Sequence, residues 1–491
     1  MCGICGYFGR IIPDDPLPLE KLSHRGPDGR GETMGPGYRF GHTRLAIIDV
    51  AGGGQPMYNE DGTVCITFNG EIYNYRALRE GLRGKHVFRT ESDTEVIVHL
   101  YEEEGPAGLK KLDGMFALAI AAPGTAIMVR DPLGIKPLYY RVDEDGIRFA
   151  SEIKAFPSAE GLEEFPPGHL FRADRGLEPY YELPQYYRED LDWPQALGEL
   201  RRRLARAVEK RLMSDVPLGT FLSGGLDSSL ISALAKEAKE ELHTFSVTLG
   251  DSPDRHYAAM ASRYLGTIHH EYVLTPEEMW AALPEVIYHL ESFDRSLVRS
   301  AVPNYFLAKL ASEHVKVVLT GAGADELFAG YAYLDRFPGW DDLHRELHAI
   351  TAALHNTNLQ RVDRMTMAHG LEGRVPFLDR EVVAWGLSIP PWFKKDRRRN
   401  LAKWCLRAAF SGTGLLPEEI IWRGKEKFAE GTGVAAILAA MAEERVRDAD
   451  YGREIALGIP LRSKEEYYYF QIFRSYFGRG RAVELVGRSR S

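Results

Sequence analysis

The chain has 491 residues, 44% apolar and 27% charged, the proportions of an ordinary globular protein of about three domains or two large ones. Its 61 Lys+Arg against 70 Asp+Glu give a net charge of −9, which leaves no basic footprint for nucleic acid. The longest mostly apolar stretch, 115–129, is broken by Pro123 and Gly124 and is too short for a membrane span.

The N-terminal MCGICGYFGR lacks the basic start and long apolar core of a signal peptide. Four cysteines, at 2, 5, 65 and 405, make no disulfide framework. Both features lead us to expect a cytoplasmic protein with neither nucleic-acid nor membrane partners. Arg479, Arg481, Arg488 and Arg490 read as a solvated tail.

Residues 1–185 are rich in glycine and in short apolar runs such as TVCITFNGEIYNY, GMFALAIAA and TAIMVRD. That spacing predicts an antiparallel, β-rich domain, interrupted by a helix from about Thr94 to Glu104. The aromatic, acidic segment 178–194 carries three prolines and reads as a linker. A second domain, 196–491, opens on a helix with Leu197, Leu200, Leu204, Val208 and Leu212 on one face. Strand and helix patterns then alternate: VPLGTFL, DSSLISALAKEA, TFSVTL, Tyr257 to Leu265, HEYVL, two helical stretches and VKVVLT. Alternation of this kind predicts a parallel sheet with helices on its faces. Beyond Gly330 the chain reads mostly helical.

Cys2 follows the initiator methionine. With Met1 removed it would carry both a thiol and a free α-amine, and the amine can serve as the thiol's general base. Cys2 and Cys5 also spell C-x-x-C, yet no histidine or further cysteine stands nearby at ligand spacing. After MCGI the chain runs through HRGPD (24–28), GHTRLAIID (41–49), FNGEIYN (68–74), ESDTEVI (91–97), DGMFALAI (113–120), RDPLGIKPLYY (130–140) and SEIKA (151–155). In this order the motifs resemble the glutaminase domain of class II glutamine amidotransferases. The resemblance implies a four-layer α-β-β-α fold of the N-terminal-nucleophile type and hydrolysis of glutamine to glutamate and ammonia. Cys2 matches the nucleophile, and Asn69 with the Gly70 amide matches the oxyanion hole. Arg44 matches the residue that holds the glutamine carboxylate, a task suited to a guanidinium fork. Glu71 and Asp93 match the acids that bind the ammonium and amide. On its own, the Asn69-Gly70 pair also reads as a type I′ hairpin turn. Only 15 residues, with three prolines, separate Phe8 from His24; the family usually has a longer helical segment there.

SGGLDSS (223–229) follows a strand pattern and opens a helix. A Gly-Gly turn, hydroxyl donors and a helix N-terminus suit an anion such as pyrophosphate. Asp227 would repel a bare phosphate and makes sense with Mg²⁺ between them. The segment lacks the G-K-[ST] of a Walker loop and resembles the PP-loop of ATP pyrophosphatases. Its ATP contacts would come from Ser223, Gly224, Gly225, Asp227, Ser228 and Ser229. The turn VVLTGAGADELFAGY (317–331) would add Asp325 and Glu326 to the metal, while Leu222, Val247, Thr320 and Gly321 would line the adenosine side.

RVDRMTMAHGLEGRVPFLD (361–379) and LPEEIIWRGKEKF (416–428) resemble the synthetase half of glutamine-hydrolysing asparagine synthetases. The resemblance places Glu372, Arg374 and Asp379 at the amino-acid acceptor pocket and gives Lys425 the charge of the adenylation transition state. It implies ATP- and Mg²⁺-dependent conversion of aspartate to asparagine through β-aspartyl-AMP. AMP, pyrophosphate and glutamate would be released, and ammonia would cross between the domains by an apolar passage. Dimers are usual among such relatives. One departure stands out: Ala322 occupies a turn position where many such enzymes have glutamate. Three readings stay open: a neighbouring acid such as Glu372 takes over, the chain belongs to a subgroup without that acid, or the acceptor is another carboxylate in a cell-surface or secondary-metabolite pathway. A nucleotide-binding regulatory protein would be expected to lack Cys2, Asp227 or Lys425, and all three are present.

Overall fold

A computed structural model describes residues 2–250, 252–424 and 433–490. Twelve strands come first: β1 (Gly3–Gly9), β2 (Gly29–Gly35), β3 (Tyr38–Arg44), β4 (Met57–Tyr58), β5 (Cys65–Ile72) and β6 (Gly114–Ala122). They continue as β7 (Thr125–Arg130), β8 (Tyr139–Asp143), β9 (Gly146–Ala150), β10 (Glu163–Glu164), β11 (His169–Arg172) and β12 (Gly176–Pro179). Two six-stranded sheets result, ordered β10-β8-β9-β1-β3-β2 and β12-β11-β7-β6-β5-β4, with every pairing antiparallel.

Alternation along the strands builds the layers. Ile4, Phe8, Phe40 and Phe149 of one sheet pack against Cys65, Ala117, Ala119 and Met128 of the other. On the outer face of the second sheet, Ile66, Phe68, Leu118 and Ile120 share a core with Val96, Ile97 and Leu100 of helix Asp93–Glu104. The outer face of the first sheet, with Cys5, is covered by Leu17, Leu19, Leu22 and Ala155. These residues come from the 3-10 helix Leu19–Arg25, the segment just before it, and the 3-10 turn Ile153–Ala155, so the shortened Phe8–His24 segment leaves a thin helical layer here.

Residues 180–192 form neither helix nor strand and lead into helix Trp193–Lys210. A five-stranded parallel sheet follows, from β13 (Leu218–Phe221), β14 (His243–Leu249), β15 (Ile268–Leu274), β16 (Val317–Leu319) and β17 (Glu372–Arg374). Its order is β15-β14-β13-β16-β17. Helices Leu226–Ala238 and Pro253–Leu265 connect the first three strands, and Pro276–Leu290 and Arg295–Ser312 precede β16. β17 escapes an apolar-run reading because it is Glu-Gly-Arg, a strand buried through its own ion pair. Among the described residues no helix is long and apolar enough to cross a membrane.

The C-terminal arginines are partly solvated, Arg479 and Arg490 being exposed, and each also has a partner. Arg488 pairs with Glu466 (2.9 Å), Arg490 with Glu346 (2.6 Å) and Arg479 with Glu454 (2.8 Å), while Arg481 donates to the Leu162 carbonyl (2.8 Å). The sequence showed the charges but not the acids waiting for them on distant helices.

Charge also fastens the two halves together. Arg25 donates to Glu152 (2.6 Å) and Asp363 (2.8 Å). Lys136 faces Asp363 (3.4 Å), and Arg364 joins Glu152 (2.8 Å) to Glu291 (3.0 Å). All six side chains lie in the interior. At such a site, removing one partner leaves an uncompensated charge, a cost of ~3–5 kcal/mol.

Candidate active sites

Cys2 stands directly before β1, and side chains fix the backbone around it. The Cys2 nitrogen donates to Asn69 Oδ1 (3.0 Å), Gly3 N to Thr43 Oγ1 (3.1 Å) and Ile4 N to Ser151 Oγ (3.0 Å). Arg25 Nε donates to the Cys2 carbonyl (3.0 Å). Burial pushes the Cys2 thiol above its ordinary range, so a thiolate here needs a base beside it.

Asn69 and Gly70 lie in the middle of β5, paired with Ala117 and Phe116, and not in a hairpin turn. The glycine serves strand approach: a Cβ there would meet the Met115 carbonyl oxygen at 2.2 Å. With Asn69 Oδ1 taken by the Cys2 nitrogen, Nδ2 is left buried with no hydrogen-bond partner among the described residues. A fixed, dry donor beside the thiol has the geometry of an oxyanion hole.

A cavity of about 30 Å³ is lined by Cys2, Arg44, Gly70, Glu71 and Asp93. The sequence reading did not include its other lining residues, Gly53, Gln55, Ser92 and Thr94 among them. The Arg44 guanidinium donates to the carbonyls of Asp49 (2.7 Å) and Val50 (2.9 Å). Gly53 lets this loop close, since a Cβ there would fall 2.6 Å from Arg44 Nη2. Asp93 opens helix Asp93–Glu104 and accepts from Ile72 N (2.9 Å). Burial, with Glu372 adding to it, pushes Asp93 up to about 6. Glu71 is raised well above the carboxylate range by burial and by Glu372 and Asp93. Three carboxylates thus crowd round Arg374, which lies 2.6 Å from Glu372 and 3.6 Å from Glu71. Crowding keeps a proton on Glu71, and an arriving substrate ammonium would favour its ionised form.

The three residues expected at the acceptor pocket lie near the first cavity or in the junction of the halves. Glu372 and Arg374 are wholly buried beside the Cys2 cavity. Arg374 also donates to the carbonyls of Arg211 (2.7 Å) and Met213 (2.5 Å). Asp379 caps helix Arg380–Ser388 and pairs with Lys210 (2.6 Å) and Arg211 (2.8 Å). None of the three lines the second cavity described next; each is consumed by a buried ion pair. Glu372, unlike Ala322, is not among the residues that line the second cavity.

The second cavity, about 700 Å³, opens at the C-terminal ends of β13, β14 and β16, the usual ligand side of a parallel sheet. Leu222, Ser223, Gly225, Asp227, Ser228, Val247, Thr320 and Gly321 line it. Ser228 Oγ accepts from Ser223 N (3.1 Å) and lies 3.0 Å from Ser223 Oγ, which shapes the loop ahead of helix Leu226–Ala238. Two residues of the motif stand aside. Gly224, at φ +74°, packs against helix Pro253–Leu265, where a Cβ would meet Ala258 N at 2.4 Å. Ser229 is fully buried behind the loop.

Asp227 and Asp325 converge on one cation, Lys403, which pairs with Asp227 and lies 2.5 Å from Asp325. Burial works to lower the Lys403 ammonium, and the two carboxylates overcome it and hold it above its ordinary value. Lys403, in the unremarked segment AKWC, could not be found by motif. Arg423, paired with Asp254 (2.6 Å), and Arg361 also line this cavity. Ala322 and Glu326 do too; Glu326 accepts from Tyr331 Oη (2.5 Å) and Asn358 Nδ2 (2.8 Å), and burial raises its pKa. Lys425 lies outside the described residues. The two cavities share no lining residue among the described residues; the halves meet through the buried ion pairs and through one apolar cluster that includes Ile48, Leu133 and Ile135 of the first half and Leu200 and Leu359 of the second.

Residues 1–172 match the model of the glutamine amidotransferase domain, and residues 199–339 and 335–489 match that of asparagine synthase. Asparagine synthetase (glutamine-hydrolyzing) 2 of Arabidopsis thaliana is 40% identical, over 99% of this chain and 89% of its own length. Asparagine synthetase (glutamine-hydrolyzing) of Sandersonia aurantiaca is 39% identical, over 97% of this chain and 96% of its own. The chain belongs to the glutamine-hydrolysing asparagine synthetase family.

Proposed function

We propose that the chain converts aspartate to asparagine with ATP and glutamine, residues 1–185 releasing ammonia and residues 196–491 activating the acceptor. The observation that carries this reading is the pairing, in one chain, of a small nucleophile site at Cys2 with an anion loop at 223–228. With Met1 removed, the Cys2 α-amine takes the thiol proton and Sγ attacks the glutamine amide carbon; the C–N bond breaks as that proton passes to the leaving ammonia, and water then cleaves the thioester to glutamate and restores the thiol. Asn69 Nδ2 and the Gly70 amide hold the oxyanion. Arg44 takes the α-carboxylate, and Glu71 and Asp93 take the ammonium. About 30 Å³ admits little more than one or two waters, so glutamine enters by displacing the 48–54 loop that Arg44 holds.

In the larger cavity the Ser223–Ser228 loop and the start of helix Leu226–Ala238 receive the phosphates. Leu222, Val247, Thr320 and Gly321 flank the adenosine. Two carboxylates gathered on one cationic centre fit a hard divalent ion, so Asp227 and Asp325 would hold Mg²⁺, which would screen the leaving pyrophosphate. Lys403 supplies positive charge to the same place. Glu326 is the carboxylate near Ala322 that faces the cavity, and its raised pKa suits it to take a proton from the incoming nitrogen. Ammonia travels as NH₃, since ammonium has no lone pair. Four buried free cysteines are compatible with a cytoplasmic setting.

The test is pyrophosphate release from ATP, Mg²⁺ and glutamine, with and without aspartate, the product being identified by mass. Aspartate-dependent pyrophosphate with asparagine is expected. Glutamine hydrolysis without it would assign the second cavity to another carboxylate.

A further inference from the structure

Outside both cavities, two histidines and two glutamates converge on the far side of the first domain. Glu60 comes from the turn after β4, His86 from the segment after helix Tyr75–Leu82, and His99 and Glu102 from helix Asp93–Glu104. One ligand atom from each lies within 4.8 Å of the others. Taking Oε2 of each glutamate, His86 Nδ1 is 3.5 Å from Glu60 and 3.8 Å from Glu102, and His99 Nδ1 is 3.3 Å from Glu60 and 2.8 Å from Glu102. A tetrahedron with metal–ligand distances of ~2.0–2.1 Å has edges of about 3.3 Å, and these four separations scatter around that value.

Behind each ring stands a further carboxylate. His86 Nε2 faces Glu103 at 3.4 Å and His99 Nε2 faces Glu95 at 3.7 Å, and neither ring nitrogen has a hydrogen-bond partner among the described residues. A carboxylate behind a ligating imidazole is the usual outer shell of a metal-bound histidine. The carboxylates in front are oriented too, Glu60 by Val87 N (2.9 Å) and Glu102 by Asn59 Nδ2 (2.6 Å). The His99 side chain is 1% exposed and that of His86 10%, and the rings stack at 4.4 Å with both Nδ1 atoms turned to the same carboxylates. Two neutral imidazoles and two carboxylates neutralise a divalent ion, and this donor set suits zinc better than magnesium.

We infer that Glu60, His86, His99 and Glu102 form a site for a divalent transition metal of the zinc class, separate from the reaction centres. The ion would clamp the 83–92 segment to helix Asp93–Glu104, whose first residue lines the glutamine cavity.

The test uses the full chain, stripped with chelator and given Zn²⁺ in Mg²⁺-containing buffer. Bound metal is counted by mass spectrometry after gel filtration, and Co²⁺ is used for spectra. One retained equivalent is expected, with a tetrahedral Co²⁺ band free of sulfur charge transfer and a Tm that rises with Zn²⁺. Glu95→Gln should weaken binding by ~10–100-fold, and His86→Asn and Glu60→Gln by more, with circular dichroism confirming that each variant is folded. No retained equivalent in the wild-type chain, or an equivalent kept unchanged by both His86→Asn and Glu60→Gln, would overturn the assignment.

Discussion

The two cavities solve opposite problems. The one at Cys2 is about 30 Å³, bordered by Ile48 and Gly53 of the loop that Arg44 holds, and lined by side chains fixed to neighbouring backbone. The one at Ser223–Ser228 is about 700 Å³ and holds paired opposite charges at its centre. A site that makes a small neutral nucleophile gains from excluding water. A site that must admit a nucleotide and an amino acid gains from space and from charge that can be rearranged. Variants that strike one cavity and spare the other test this contrast.

The largest expected effect is Cys2→Ala. It removes the attacking atom, so glutamine-dependent synthesis should fall on the order of 10⁴-fold or more, while synthesis from added ammonium persists. Steady-state assays with the two nitrogen sources read both outcomes. Lys403→Met should do the reverse, lowering pyrophosphate release by roughly 10²–10³-fold with either nitrogen source and leaving glutamine hydrolysis intact. Asn69→Ala should cost ~10²–10³ in glutaminase kcat and leave ammonium-dependent synthesis unchanged.

Arg25→Met blurs the contrast, because Arg25 holds both the Cys2 carbonyl and Asp363 of the second domain. It should destabilise the chain by ~3–5 kcal/mol in urea unfolding and lower the ratio of asparagine formed to glutamine hydrolysed. The smallest effect is one of pH. Asp93, raised by burial to about 6, is protonated below that pH and loses its hold on ammonium. KM for glutamine should therefore climb as pH falls through about 6 and level off above it. Asp93→Asn should raise KM and flatten this dependence.

The motifs made both sites legible because each carries a local backbone requirement. The loop 223–228 needs a Gly-Gly turn before a helix, and Gly70 needs close strand approach. What joins the sites was not legible. Arg25 and Asp363 are 338 residues apart, and nothing in HRGPD says that its arginine crosses a domain junction. The ion pairs of Asp379 with Lys210 and Arg211 were not legible either, because short motifs record neighbours in sequence whereas burial and ion pairing are settled by distant partners. Asn69-Gly70 read as a turn because local propensity favours one, and the β5–β6 ladder overrode it. The thin outer layer over the first sheet was foreshadowed by the short, proline-rich stretch before His24.

In the proposed reaction, nitrogen freed at Cys2 is used at the second cavity of the same chain. The direct measurement supplies glutamine isotopically labelled at its amide nitrogen, with aspartate, ATP, Mg²⁺ and an excess of unlabelled ammonium, and weighs the product. Asparagine carrying the label with little dilution is the predicted result. Asparagine labelled only in proportion to the bulk ammonium pool, or no asparagine at all, would contradict it.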